Sequence, residues 1–566
     1  FSSPLQIMEF ADVIRIPKLD SVLLHRPLSS GPIDGTLCIT GHHLIFSSRK
    51  ETEEELWLLH RCVDAVEKRP GPNGGTLVLR CKDLRVISLE IPGLEEFGSI
   101  GNTIDILSNI EDTRLHYPFF YRAMHAILED GWMAFLLDSE FPKLTRHSDD
   151  WRISAVNRDF QVCPSYSSMV VVPRAIEDEA LIASAAFRQG GRFPVLSYRH
   201  SNGACLLRCS QPLVGPSGRR CKEDERLLNA VITQTLRGYV VDTRSQASAQ
   251  AARGKGGGYE METYYPQWKR IHKPLDRISS LLDSLVKLMD ACNDTGSSMD
   301  KWLSRFESSV WLSQIREVLN TACVVAQCLD QEGASVVVHG TEGLDTTLQV
   351  TSLTQLLLDP DCRTIRGHLW SVNGFWVDIH SECVILIAAM PPQHCVHEGM
   401  LPSSFSSLIV FGRFIPNIPA ASNSMRISFS SSLSMPMPHP LARTFMCNNE
   451  AELVELRVKE RTMSIWSHVN RPQVLEGFLN PLYDPNCAVL WPSVAPMSLT
   501  LWQGLYLRWV VDMSPEMEKW KGIGKLKERQ MELRSLANRL RSQLTELERE
   551  AVDLDLISPG NPSTLP

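Results

Sequence analysis

A short run of β-branched residues in the middle of the chain sets its fold class. Residues 334–339 read Ala-Ser-Val-Val-Val-His, which is typical of a buried strand, and a glycine-containing turn follows. The apolar spacing after the turn predicts a helix over residues 347–358. A strand that leads through a tight loop into a helix N-terminus is a building block of α/β proteins, and the N–H groups there can hold an anion.

The chain around this unit alternates between strand and helix patterns. Short apolar runs predict strands at residues 205–209 and 238–242. Amphipathic spacing predicts helices at residues 222–236, 276–291 and 308–330. We therefore expect a sizeable α/β domain that begins near residue 117.

The first hundred residues follow a β pattern instead. Apolar and polar positions alternate over residues 35–48 around Gly41, which predicts two strands joined by a turn, and residues 55–66 and 75–91 continue the pattern. One helix face is predicted to carry Leu94, Phe97, Ile100, Ile104 and Leu107. This indicates a small β-rich domain over residues 8–110, either a lipid-binding module or a protein-docking domain that touches no lipid.

Composition excludes several classes of function. Lys and Arg total 57 and Asp and Glu total 65, a net charge of −8, so the chain lacks the basic excess of nucleic-acid-binding proteins. Fifteen cysteines without paired Cys-x-x-Cys spacing indicate reduced thiols and a cytoplasmic location. His42, His43 and Cys38 are interpreted as strand packing, because adjacent side chains of a strand point to opposite faces. No metal site and no cofactor are predicted.

Residues 368–444 differ from the rest of the chain. Their 77 positions hold only six charged residues, whereas 22% of the whole chain is charged. Ser and Pro crowd residues 402–440. This composition is typical neither of a solvated domain surface nor of a charged disordered tail.

The C-terminal region carries a heptad pattern. Leu526, Leu533, Leu540 and Leu547 recur at intervals of seven in a proline-free segment, and Leu544 occupies one of the intervening core positions. We predict a coiled coil over residues 514–555 and a disordered tail over residues 556–566. A single long surface helix is the alternative, because leucine is common in any amphipathic helix.

The charges on this helix bear on its pairing. Its first part is mainly basic and its end is mainly acidic. Parallel pairing of two copies in register sets like charges together, whereas an antiparallel pair or a complementary partner matches them. We interpret the helix as a selective dimerisation element.

The loop after the central strand resembles the active-site loop of the myotubularin-related proteins, which are cysteine-based phosphoinositide 3-phosphatases. Active members carry His-Cys-Ser-Asp-Gly-Trp-Asp-Arg-Thr there. The loop of this chain consists of His339, Gly340, Thr341, Glu342, Gly343, Leu344, Asp345 and Thr346. The resemblance places Gly340 at the nucleophilic cysteine and Thr346 at the phosphate-binding arginine. The loop of this chain is similar to that of a catalytically inactive member of the family.

Further stretches carry the same resemblance through most of the chain. They include residues 117–121, 191–195, 242–244, 256–260, 363–367 and 491–496. The resemblance implies a GRAM or pleckstrin-homology-like domain over residues 8–110 and a cysteine-phosphatase-like α/β domain over residues 117–513. Because the family continues differently after residue 367, residues 368–444 are interpreted as a non-family insertion.

The two replacements remove the chemistry of the family. Cysteine-based phosphoryl transfer needs a thiolate, and Gly340 has no side chain. It also needs a cation that grips two phosphate oxygens, and Thr346 has no charge. Asp345 matches the residue that acts as general acid in active relatives. Two readings stay open, in which Thr341 or His339 is a substitute nucleophile, or the loop binds phosphate without cleaving it.

The resemblance implies a regulatory role. A catalytically inactive member would pair through its coiled coil with an active myotubularin-related phosphatase and raise that partner's activity or stability. Its N-terminal domain would contact phosphoinositides and hold the pair on endomembranes. A homodimer, and a phosphoinositide-binding module without a catalytic partner, are the alternatives.

Overall fold

The computed structural model places most of the chain. The described residues are 9–26, 31–49, 55–122, 131–133, 141–142, 144–145, 148–232, 237–294, 296–363, 450–464, 467, 471, 489–496, 499, 501, 506–507, 509–511 and 514–554. Residues 368–444 and the predicted tail at residues 556–566 lie outside them. The chain divides into two compact units, residues 1–511 and residues 512–566.

The first unit begins with a seven-stranded antiparallel sheet in the order β4-β3-β2-β1-β7-β6-β5. Its strands are β1 (Lys18–His25), β2 (Ile33–Ile39), β3 (His43–Ser48), β4 (Leu56–Leu59), β5 (Val63–Gly71), β6 (Gly74–Cys81) and β7 (Val86–Pro92). Two helices accompany the sheet, α1 (Phe10–Val13) and α2 (Leu94–Ser108). Phe97, Ile100, Ile104 and Leu107 of α2 join the buried core of the sheet, as the helical spacing predicts. Leu94, which the same spacing places on this face, is instead exposed, because it stands at the first position of the helix.

The turn between β6 and β7 anchors this sheet to the second domain. Leu84 has φ of +71° and its buried side chain belongs to the core of the α/β domain. Trp509 Nε1 donates a hydrogen bond to Asp83 O at 3.0 Å, and the Arg85 guanidinium lies 4.6 Å from the centre of the Trp509 ring. A left-handed residue other than glycine is unfavourable, so burial of Leu84 offsets the cost of this turn.

The second domain contains a five-stranded sheet in the order β10-β11-β14-β12-β13, in which only β10 runs antiparallel. The strands are β8 (Trp151–Ser154), β9 (Val170–Pro173), β10 (Val195–Arg199), β11 (Cys205–Ser210), β12 (Gly238–Asp242), β13 (Trp268–His272) and β14 (Ser335–Gly340). The larger helices are α3 (Asp178–Phe187), α4 (Lys222–Val231), α5 (Gln246–Gly254), α6 (Ile278–Cys292), α7 (Met299–Ser308), α8 (Trp311–Asp330) and α9 (Asp345–Leu358). Strands β8 and β9 form a separate antiparallel pair. The predicted α/β class is confirmed.

The central strand β14 is buried on both faces. Val336 and Val338 join the core that α6, α8 and α9 cover, whereas Val337 packs with Leu207 and Val240 on the opposite side. A strand covered on both faces has no polar alternation, which is why β14 contains a continuous run of valines.

Two short helices, α10 (Glu450–Glu455) and α11 (Val458–Arg461), follow later in the chain. Among the described residues, no helix combines the length and apolar character needed to cross a bilayer.

The second unit contains one long helix, α12 (Ser514–Asp553). The heptad leucines are exposed to solvent in the isolated chain. Their exposed fractions are 73% for Leu526, 50% for Leu533, 55% for Leu540, 49% for Leu544 and 61% for Leu547. A long apolar stripe on a solvated helix is the pattern of a helix that packs against another helix. Its pairing stays a prediction.

Candidate active-site loop

The loop predicted to carry the chemistry lies at the carboxyl edge of the parallel strands. Its strand β14 is flanked by β11 and β12, and His339 stands beside Cys209 of one and Asp242 of the other. The loop is fixed to both neighbours, because Gln211 N donates to Thr341 O at 3.3 Å and Thr243 N donates to His339 O at 2.9 Å. Ligands of α/β sheets bind at this edge.

All eight predicted loop residues lie together, but they differ in exposure. Thr341 and Glu342 are exposed, and Asp345 and Thr346 are partly buried. The buried members are His339, Gly340, Gly343 and Leu344. Only the exposed and partly buried residues can therefore meet a ligand from solvent.

Gly343 fixes the turn of the loop. Its φ is +73°, in the left-handed region that favours glycine. A Cβ atom at this position would lie 2.3 Å from Cys209 O, well inside van der Waals contact. The loop therefore keeps the tight turn of a phosphate-binding loop for steric reasons that do not depend on catalysis.

We expect Gly343→Ala to lower the free energy of unfolding by about 2–4 kcal/mol, because the new Cβ strains the backbone and displaces β11. Gly98 in α2 is the matched control, since a Cβ there meets no atom within 4 Å. Gly98→Ala should leave stability unchanged or raise it by about 0.5–1 kcal/mol. Chemical denaturation of both variants measures the difference, and equal stability of the two would contradict the steric role of Gly343.

Two threonines fill the place where the nucleophile and the phosphate-binding cation are expected. The Oγ1 atoms of Thr243 and Thr346 are hydrogen-bonded at 2.8 Å. A Cβ atom added at Gly340 would lie 2.8 Å from Thr243 Oγ1 and 3.4 Å from Thr346 Oγ1. The two hydroxyls thus face the empty side of Gly340 and satisfy each other.

His339 faces the interior of the domain rather than the loop opening. Its ring is fully buried, with Nε2 3.0 Å from Glu260 Oε2 and 4.0 Å from Asp242 Oδ2. Burial raises the pKa of Glu260, but the positive charges of His339 and Arg188 outweigh it and hold the pKa below its usual range. His339 is thus a buried neighbour of Glu260, and its burial argues against a role as substitute nucleophile.

A buried arginine joins this acid to the rest of the domain. Arg188 Nη1 contacts Glu260 Oε1 at 2.5 Å, and its Nε and Nη2 grip the two Asp224 oxygens at 2.9 and 2.6 Å. Tyr265 donates a further hydrogen bond to Asp224 at 2.8 Å. Such a buried network holds only when each charge is compensated, so it ties the end of α3 and helix α4 to the segment before β13 that contacts His339.

A second buried pair lies next to the first. Arg244 grips both oxygens of Asp242 at 2.8 Å each, and its Nη1 donates to Gln211 Oε1 at 2.6 Å. Gln211 also accepts from Gly258 N at 3.3 Å. Both residues thereby tie the loops after β11 and β12 to the edge of the sheet that holds the candidate site.

Two acidic residues, Glu342 and Asp345, lie at the mouth of the loop beside Arg192. Burial and the neighbouring Glu342 raise the pKa of Asp345 to about 7, while Arg192 lowers it. Arg192 contacts the loop through its Nη1, which donates to Glu342 O at 2.9 Å, and its Nε donates to Ser165 Oγ at 2.7 Å. Asp345 Oδ1 is buried without a hydrogen-bond partner among the described residues. The two acids disfavour an anionic headgroup here.

The raised pKa of Asp345 predicts a pH-dependent stability. The ordinary pKa of an aspartate is 3.8, so between about pH 4 and pH 7 the folded state holds a proton that the unfolded state has released. The free energy of unfolding therefore falls as the pH rises through this window. We expect Asp345→Asn to remove this fall and to stabilise the protein by about 1–2 kcal/mol at pH 8, after allowance for partial exposure. Glu342→Gln should recover part of the gain. Urea midpoints at pH 5 and pH 8 measure it, and an unchanged pH profile of Asp345→Asn would contradict it.

Comparison with known proteins decides the family. The model of the myotubularin-like phosphatase domain matches residues 116–382, and the model of the MTMR6-9 GRAM domain matches residues 18–106. "Myotubularin-related protein 9" of Mus musculus is 47% identical over 96% of this chain and 99% of its own length. The chain belongs to the myotubularin-related protein family.

Two relatives carry names of enzymes. The human "Phosphatidylinositol-3-phosphate phosphatase MTMR7" is 30% identical over 92% of this chain and 80% of its own length. The human "Phosphatidylinositol-3,5-bisphosphate 3-phosphatase MTMR6" is 31% identical over 95% of this chain and 87% of its own length. The predicted family membership, the N-terminal GRAM domain and the phosphatase-like domain are confirmed. The match of the phosphatase model also extends to residue 382, and so takes in the start of the charge-poor segment.

Sequence reasoning did not identify the residues that support the loop. Thr243 and Glu260 lie in stretches that carry the family resemblance, but only the fold shows that they face Gly340 and His339. Arg188 and Asp224 carry no local signal, since they lie 36 residues apart on separate elements. His42 and His43 were expected on opposite faces of a strand, but both pack against Tyr117. The reason is that His42 lies in the turn between β2 and β3, and the strand begins only at His43.

Proposed function

We propose that this chain is a catalytically inactive myotubularin-related protein that acts by pairing with an active phosphatase of the same family. The observation that carries the proposal is the composition of the loop. Gly340 supplies no sulfur, and the hydroxyls of Thr243 and Thr346 bond to each other beside it. No covalent phosphoenzyme can form at a residue without a side chain.

Transition-state stabilisation is lost as well. A phosphoryl group in transfer carries charge on its outer oxygens, and bidentate arginine is suited to neutralise it. Thr346 supplies a neutral hydroxyl, and Glu342, together with Asp345 when it is ionised, adds negative charge at the mouth of the loop. Asp345, which the resemblance assigns as general acid, has no leaving group to protonate without a nucleophile.

The scaffold of the domain is nevertheless retained. Gly343 keeps the tight turn, and the buried contacts of Arg188 with Asp224 and Glu260 hold the segment behind the loop in place. A domain that has this fold without the reactive groups is suited to binding another protein through its surface. A partner that binds the competent conformation of an enzyme more tightly than other conformations raises its activity.

The pairing surface is assigned to α12. Leu526, Leu533, Leu540, Leu544 and Leu547 form an exposed stripe on this helix. The GRAM domain is assigned to phosphoinositide contact, which would place the pair in the cytoplasm and peripherally on endomembranes. Substrates of the active partner would be phosphatidylinositol 3-phosphate and 3,5-bisphosphate, the lipids for which the enzymes MTMR7 and MTMR6 are named.

The test is to add the purified full-length chain to a purified active relative of the MTMR6 or MTMR7 type. We expect the two proteins to co-elute and the lipid phosphatase rate or the thermal stability of the enzyme to rise. The absence of co-elution, together with an unchanged rate and an unchanged stability of the enzyme, would refute the pairing. Binding of the chain to phosphoinositide vesicles, combined with no co-elution and no effect on the enzyme, would favour the stand-alone membrane module instead.

A further inference from the structure

The heptad positions of α12 carry information about the partner that the leucine stripe alone does not. With the leucines at position d, the flanking e positions include Arg534, Arg541 and Glu548, and the flanking g positions include Arg529 and Glu550. All five side chains are exposed in the described helix. The e positions of the two central heptads are therefore arginine, whereas their g positions are the uncharged Leu536 and Gln543, and acidic residues border only the end of the seam.

These positions disfavour pairing of two copies in either orientation. In a parallel pair, g positions face the e positions of the following heptad, so Arg529 of each copy faces Arg534 of the other. In an antiparallel pair in which the a and d layers coincide, e positions face e positions, so Arg534 lies against Arg534 or Arg541 of the other copy. Glu548 offsets this repulsion only at the ends. The heptad positions therefore revise the expectation that antiparallel self-pairing matches the charges.

We infer that α12 binds a helix whose own leucine seam is bordered by acidic residues opposite Arg534 and Arg541, and that a second copy of this chain is selected against. The inference rests on the proposed function and specifies the chemistry of the partner. Leucine burial supplies most of the affinity of such a pair, whereas the flanking charges decide between partners.

Arg534 is the residue on which the selection depends most. Arg529 already contacts Glu532 of the same helix at 2.9 Å, which offsets part of its charge. Arg534 faces the second helix in both orientations, so its charge matters whichever orientation the pair adopts. Arg539 carries the same charge at position c, on the side of the helix away from the seam, and is a matched control.

The test uses the full-length chain and two synthetic helices of about five heptads with the same leucine seam. One helix has glutamate at its e and g positions and the other has lysine. We expect the chain to bind the acidic helix about 10-fold or more tightly than the basic helix at low salt, and the difference to shrink as salt screens the charges. Equal binding of the two helices, or self-association tighter than binding of the acidic helix, would overturn the inference.

Substitutions of the chain separate charge selection from loss of folding. Arg534→Glu should lower the preference for the acidic helix by about 5-fold or more, while Arg539→Glu should leave it nearly unchanged. Circular dichroism checks that both variants keep the helicity of the parent chain. An equal effect of the two substitutions would contradict the assigned positions.

The synthetic helices contain no phosphatase, so this test and the test of the proposed function fail separately. A clear acidic preference without any effect on an active relative would refute the regulatory role and leave the surface assignment standing. An effect on an active relative without an acidic preference would refute the surface assignment and leave the regulatory role standing.

Discussion

Leu533→Pro combined with Leu540→Pro is expected to abolish co-purification with an active family phosphatase. Both leucines lie in the interior of α12 and are exposed along its stripe. Each proline removes a backbone hydrogen bond and costs a helix interior about 3 kcal/mol or more. We therefore expect the affinity for the partner to fall by about 100-fold or more, and any activation of the partner to be lost.

Leu554→Pro is the matched control for this pair of substitutions. Leu554 continues the sevenfold spacing and is as exposed as the stripe leucines, but it follows the last residue of α12, so proline there breaks no helix interior. Co-purification should survive this change. Because the first compact unit ends at residue 511, thermal unfolding of the phosphatase-like domain should be the same in both variants. Retained binding of the double proline variant would show that the partner docks elsewhere.

Arg188→Met is expected to lower the free energy of unfolding by about 3–5 kcal/mol. The substitution leaves the carboxylates of Asp224 and Glu260 buried without the guanidinium that now contacts both. Glu260 also contacts His339 at the base of the loop, so the damage should reach the candidate site. Differential scanning calorimetry of the full-length chain measures the loss.

Arg192→Met provides the comparison for this prediction. Arg192 lies near the same loop and is partly exposed, and its hydrogen bonds go to Ser165 and to a backbone carbonyl. Its removal should cost about 1 kcal/mol. If the two substitutions cost the same, the buried network would not support the domain as described.

The local patterns of this sequence predict β11, β12, β14 and the helices α4, α6, α8 and α9, but not β8, β9, β10, β13, α3 or α5. The valine run predicts β14, and the apolar spacing after it predicts α9, which begins at Asp345. Strand β1 was missed because a bulge between Leu19 and Val22 interrupts its alternation. Helix α7 was missed because its apolar face is only partly buried, with Trp302 and Phe306 stacked on each other at 5.4 Å.

The candidate site shows where sequence reasoning ends. Two replacements in one continuous loop, Gly340 and Thr346, can be read directly from the order of residues. The threonine pair beside Gly340 and the contact of His339 with Glu260 join residues about 80 to 100 positions apart. The pairing of β12 with β14 brings Thr243 to the loop, whereas Glu260 lies in the segment between α5 and β13. Sequence therefore predicts the missing groups but not what fills their place.

The most direct test is a phosphate-release assay with the full-length chain, purified free of any other family member, on vesicles that contain phosphatidylinositol 3-phosphate or 3,5-bisphosphate. An active relative in the same assay provides the positive control. The loss of thiolate and guanidinium predicts release at the level of buffer alone, unchanged by Thr341→Ala. Release that Thr341→Ala abolishes would contradict the proposal that this loop is catalytically inactive.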